Sequence, residues 1–123
     1  MKNKNVSPET IWLDEPEEHD FPAALDYLEL LFTKEKCEKH VQNLKKTTTI
    51  KKKAKDILRA SRLPLLSRKN IHVKKNIKKV KCGDKLSPVL LIRHENLVIA
   101  DGYHRVCAIY YLSEDLDIPC RIA

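Results

Sequence analysis

Residues Leu97 to Tyr111, LVIADGYHRVCAIYY, compress a strand, a glycine junction and an amphipathic helix into one short stretch, and that succession constrains the chain more than any other feature. Leu97-Val98-Ile99-Ala100 is an unbroken apolar run of strand length. Asp101-Gly102 interrupts it, and from Tyr103 the apolar residues recur as Val106, Ile109 and Tyr110 with helical spacing. Asp101, His104 and Arg105 therefore fall where a strand ends and a helix begins. The first turn of a helix has backbone N–H groups without intrahelical acceptors and carries the positive end of the macrodipole, so it attracts an anion. His104 and Arg105 would add side-chain donors at the same place, and phosphate is the ligand this pattern suits. A plainer alternative stands beside it: Asp101 as a helix N-cap, Gly102 as a tight turn, His104 and Arg105 as solvated first-turn residues.

The same residues carry a family resemblance. IADGYHRVCAIYYL followed by DIPCRIA resembles the end of the ParB/sulfiredoxin superfamily domain, where a strand runs into a Gly-x-[HR]-Arg turn, a helix follows and a final strand closes the sheet. Upstream, LSPVLLIRHENLVIADG is similar to the strand-turn-strand of that domain, and ILRASRLPLL is a looser echo of its opening segment. The resemblance spans residues 57–123. It implies a ParB/sulfiredoxin-like α+β fold and carries Gly102, His104 and Arg105 over as phosphate or nucleotide binders. Sulfiredoxins have Gly-Cys-His-Arg at this turn and ParB partition proteins Gly-Glu-Arg-Arg, so Tyr103 stands where the first keep a reactive cysteine and the second a glutamate tied to nucleotide hydrolysis. Cys107, one helical turn further on, is no geometric substitute. The superfamily includes nucleases and phosphotransferases, and by that analogy a nucleoside triphosphate with Mg²⁺ is the cofactor pair to consider, with Asp101 as the candidate to hold the cation or act as a base. With the reactive position occupied by Tyr103, binding is favoured over catalysis.

Length and composition bound the alternatives. A chain of 123 residues, 42% hydrophobic, makes one small domain with one core. It has only two glycines and no G-x-x-x-x-G-K-[ST], so a phosphate site of the Walker type is excluded. The opening residues, MKNKNVSPETIWLDEPEEHD, lack an apolar h-region, and no run approaches the roughly 18 apolar residues of a membrane span, which predicts a cytosolic protein without a membrane partner. The four cysteines, Cys37, Cys82, Cys107 and Cys120, are scattered without a C-x-x-C and read as buried small hydrophobes. Cys37 and His40 lie i, i+3, two ligands where a structural zinc takes about four, so no metal site is expected.

The net charge of +7 hides a strong segregation. Residues 1–33 sum to −6, residues 34–81 to +15 and residues 82–123 to −2. Lysine dominates the basic third, and the run Lys51-Lys52-Lys53 is its densest point, suited to phosphate contacts without base reading. Non-specific nucleic acid is one reading of that run. The other is a solubilising surface that balances the acidic segment, favoured by the absence of aromatic residues from 33–81.

The punctuation predicts the elements. Residues 1–19 read as an acidic extended lead in which only Ile11-Trp12-Leu13 can dock on a core. Residues 20–123 read as a single α+β domain, with a helical N-terminal extension over 20–55 and the family-like part over 56–123. In the extension, Asp20 is expected as N-cap of a helix whose core stripe is Phe21, Ala24, Leu25, Leu28, Leu31 and Phe32. A second helix over 34–45 buries Cys37, Val41 and Leu44, and the β-branched residues 47–50 make a short exposed strand. Residues 56–61 form a helical turn or two, and 73–81 a basic helix with Val73, Ile77 and Val80 inward and Gly83 as its stop. Lys74 and Lys78 share one exposed face of that helix, and the resemblance makes them plausible partners of His104 and Arg105. A hairpin over 89–100 and a closing strand over 118–122 complete a small mixed sheet of about three to five strands with flanking helices.

Overall fold

The structure, a computed structural model, describes residues 11–123. At its centre runs β2 (Val89–Ile92), VLLI, buried along its whole length. A strand buried on both faces needs cover on both sides, and its side chains divide accordingly: Val89 and Leu91 enter one core, Leu90 and Ile92 the other. β3 (Val98–Asp101) pairs antiparallel with β2 as the expected hairpin, and β4 (Asp117–Ile122) pairs parallel with the other side of β2. β1 (Ile50–Lys53) adds antiparallel to β4, giving a mixed four-stranded sheet in the order β1-β4-β2-β3.

Helices cover both faces. α1 (Asp20–Leu28) and α2 (Lys34–Lys46) lay Ala24, Leu28, Cys37, Val41 and Leu44 on Leu90, Ile92 and Ala100. α3 (Ala54–Ser61), α4 (Ile71–Lys81) and α5 (Tyr103–Leu112) supply Ile57, Val73, Ile77, Val106 and Ile109 to the opposite core. The fold is therefore α+β, with a mixed sheet between two helical layers, as the apolar spacing predicts. Ile11 and Trp12 are buried in the second core, and the strap they form is held by Leu86, whose N–H donates to Ile11 O and whose carbonyl accepts from Leu13 N–H, both at 2.8 Å. The rest of the acidic lead, up to residue 10, lies outside the described residues.

Four expectations are corrected. Asp20 is not the N-cap of α1; His19 holds that position, and the Asp20 carboxylate, almost fully buried, accepts the Glu17 N–H at 2.8 Å. α1 ends at Leu28 because the chain must turn into α2, whose N-cap is Thr33, so Leu31 is half-exposed instead of core. β1 starts at Ile50, not Thr47, which terminates α2. Its four side chains are all exposed, so backbone pairing with β4, and not an apolar face, makes it a strand. Cys82 is exposed at the end of α4, whereas Cys37, Cys107 and Cys120 are buried as expected. Among the described residues, no helix is long and apolar enough to cross a membrane.

Candidate functional site

The strand-glycine-helix junction is built by a bulge and a forced glycine. Leu90 faces Asp101 while Leu91 faces Ile99, so Ala100 is an extra residue in β3 and strict alternation is broken just before the turn. Gly102 then takes φ +114°, and a Cβ there would lie 2.4 Å from Val89 Cγ1, so only glycine lets α5 start this close to β2. The first α5 bond runs from Val106 N–H to Gly102 O at 3.0 Å, and among the described residues no side chain caps the N-terminus. The N–H groups of Tyr103, His104 and Arg105 are thereby left without intrahelical acceptors.

Asp101 and Arg105 form an ion pair beneath this turn, Nη2 to Oδ2 at 2.9 Å, with both side chains more than four-fifths buried. The same Nη2 lies 3.4 Å from Pro88 O, and Arg105 Nε is buried without a protein partner. Arg105 reaches the Asp101 carboxyl from α5, and Asp20, on α1, lies near enough to act on its charge. Burial pushes the Asp101 carboxyl above the usual range; Arg105 pulls it back, Asp20 pushes it further, and burial outweighs the rest.

His104 sits on the first turn with its ring 4.8 Å from that of His72, which the Asn70-capped start of α4 holds in place. Burial first, then His72 and Arg105, depresses the His104 pKa, so its ring is mainly neutral at pH 7. Tyr103, at the position of the reactive group in the resembled families, hydrogen-bonds through its hydroxyl to Pro64 O and so clamps the loop after α3. Cys107 is fully buried and its thiol is pushed up by that burial, which removes it from thiolate chemistry.

The structure thus brings Asp101, Gly102, His104 and Arg105 to one place. Lys74 and Lys78 lie on the exposed side of α4, and among the described residues no side-chain hydrogen bond or ion pair links either to the turn; the α4 side chain that packs there is His72. Lys51, Lys52 and Lys53 stand on β1, at the sheet edge opposite β3. Asp20 and His72 were missed by sequence reasoning. One looks like a cap and the other like a surface residue on a basic helix, and only the long-range packing of α1 on β3 and α4 on α5 reveals them. Among the described residues no three His, Cys, Asp or Glu side chains converge to hold a metal ion.

The histidines make the fold sensitive to mild acid. A depressed folded-state pKa means that the unfolded chain binds the proton more readily, so this contribution is present above the ordinary histidine value and is lost as pH falls below it. His40, beside His94 and Phe32, is depressed in the same way. We expect Tm to fall between about pH 7 and pH 5, and His104→Gln and His40→Gln each to remove part of that slope. An unchanged slope in both variants would assign the acid sensitivity elsewhere.

Compared with protein-family models, with curated proteins and with solved structures, the chain matches none.

Proposed function

We propose that the chain is a phosphate- or nucleotide-binding module of ParB/sulfiredoxin-like type, with the ligand's phosphate seated on the N-terminus of α5. The observation that carries the reading is the set of open N–H groups at Tyr103, His104 and Arg105, above a glycine that no other residue can replace without collision. His104, its ring mainly neutral, and His72 flank that opening as hydrogen-bonding groups, and Arg105 supplies a buried positive charge that Asp101 holds in position.

The test is a thermal-shift and calorimetric panel of inorganic phosphate and nucleoside di- and triphosphates, with and without Mg²⁺. We expect a concentration-dependent rise in Tm. His104→Ala should weaken binding by about 1 kcal/mol, the worth of one hydrogen bond. His104 is the residue to change because it can be removed without opening the buried ion pair. A flat response across the panel would overturn the reading.

A second reading, phosphoryl transfer or nucleic-acid hydrolysis, draws on the Asp101 carboxyl, which burial moves toward the range of a general base one residue before the turn. Its donor set does not suit a resident Mg²⁺, since Oδ2 is already bonded to Arg105 and, among the described residues, no three His, Cys, Asp or Glu side chains converge to hold a metal ion. Nucleotide binding without turnover would leave the module reading alone. Thiol chemistry finds no support at either Tyr103 or Cys107, so no reduction of a cysteine sulfinic acid is expected.

A further inference from the structure

A second surface lies along α3 and the loop that follows it, the loop whose Pro64 carbonyl accepts the Tyr103 hydroxyl. A groove of about 480 Å³ opens there, with Lys55, Arg59 and Arg62 around it and Leu65, Pro64 and the Tyr110 ring among its walls. Among the described residues, no carboxylate lines it. Lys55 and Arg59 are paired at their outer ends with Asp115 at 2.7 Å and Asp56 at 3.2 Å, exposed pairs of little worth that a phosphate can replace. The guanidinium of Arg62 has no protein partner among the described residues.

Arg62 is also the one described non-glycine residue with a positive φ, +59°, at the C-terminal cap of α3. Glycine is the usual occupant of that position, and an arginine there holds a left-handed backbone at some expense of stability. The strain sets a cation on the groove. Tyr110 is half-buried and, unlike Tyr111, whose hydroxyl donates to Leu66 O at 2.6 Å, makes no side-chain hydrogen bond within the described residues.

We propose that this groove binds single-stranded nucleic acid, with backbone phosphates on Lys55, Arg59 and Arg62 and a base laid against Tyr110 and Leu65. Charge complementarity selects a polyanion, and the apolar floor selects one with exposed ring faces over a duplex, which presents only phosphates to such a surface. The sequence pattern placed its nucleic-acid contacts on Lys51–Lys53; the groove moves the centre of binding to α3 and supplies the aromatic ring that residues 33–81 lack, from a segment far along the chain.

The test measures fluorescence anisotropy of a labelled oligothymidine of about ten nucleotides, within the span such grooves cover, against a duplex of equal length and against polyglutamate as competitor. The expected result is tighter binding of the single strand than of the duplex, with polyglutamate a weak competitor. Tyr110→Leu, which keeps an apolar side chain in place, should weaken the complex by about fivefold to a hundredfold, the range for one stacked base. Arg62→Gly removes the charge while relieving the backbone, so it should keep or raise Tm and lower the slope of log K against log salt by ~0.7. His104→Ala should leave oligothymidine binding unchanged, and Arg62→Gly should leave the nucleotide response unchanged, so the two surfaces stand or fall separately. Absence of binding, equal affinity for duplex, or an unaffected Tyr110→Leu variant would overturn the proposal. Polyglutamate competing as well as oligothymidine would also overturn it and assign the groove to an acidic peptide.

Discussion

Gly102→Ala is expected to destabilise the domain by about 3–5 kcal/mol, a large share of the stability typical of a domain this size. Two effects add. The φ of +114° is strained for any residue with a side chain, and the new methyl would lie 2.4 Å from Val89 Cγ1 and 2.8 Å from Val89 Cβ. Val89 has no room to retreat, because it is fully buried in the central strand. Urea denaturation of Gly102→Ala, Val89→Ala and the double variant separates the contributions, since opening space at position 89 relieves the collision and leaves the dihedral strain. A loss below about 1 kcal/mol for Gly102→Ala would mean that the junction relaxes freely, and the close approach of α5 to β2 would no longer explain the glycine.

Arg105→Ala should remove about 2–4 kcal/mol at neutral pH, because it leaves the Asp101 carboxylate buried without its counter-charge. The dependence on pH has a definite sign. The Asp101 pKa is raised by folding, so its contribution is fully present below the ordinary aspartate value and is lost as pH rises through the folded value. Without Arg105 the folded value climbs further. The gap between wild type and Arg105→Ala should therefore be small near pH 4 and widen toward pH 7. Asp101→Asn combined with Arg105→Ala should recover much of the loss, as the buried charge disappears with its partner. A gap independent of pH would show that the arginine acts through packing alone. The same argument explains why Arg105 is a poor probe of ligand binding: its removal disturbs the turn before any phosphate arrives.

The junction was legible in the sequence because its signals are local. An apolar run, a glycine and a helical repeat within one short stretch leave few folds open, and β2, β3, α5 and β4 fall close to the expected positions. α2 was equally clear, with Cys37, Val41 and Leu44 on one face. Long-range structure was less accessible. Ile50–Lys53 reads as a lysine-rich surface, and nothing in it announces pairing with a strand some seventy residues away. The bulge at Ala100 leaves no local mark and decides where Asp101 points. Asp20 reaches Asp101 only because α1 packs on β3, and His72 reaches His104 only because α4 packs on α5. Sequence thus located the turn, while the groups that tune its charge came from tertiary contacts.

The placement of β4 between β1 and β2 has a consequence for the chain as it is being synthesised. β1 leaves the ribosome well before β4, its one partner strand among the described residues, and must wait as an unsatisfied edge while residues 54–116 follow. An uncovered strand in that interval is a template for pairing with another nascent chain. Lys51, Lys52 and Lys53, all exposed in the finished sheet, give that waiting strand three like charges and make such pairing repulsive. Replacing them with threonine would keep the strand's propensity and remove this protection, so aggregation during expression, more than any loss of folded-state stability, is where the cost of the change would be felt.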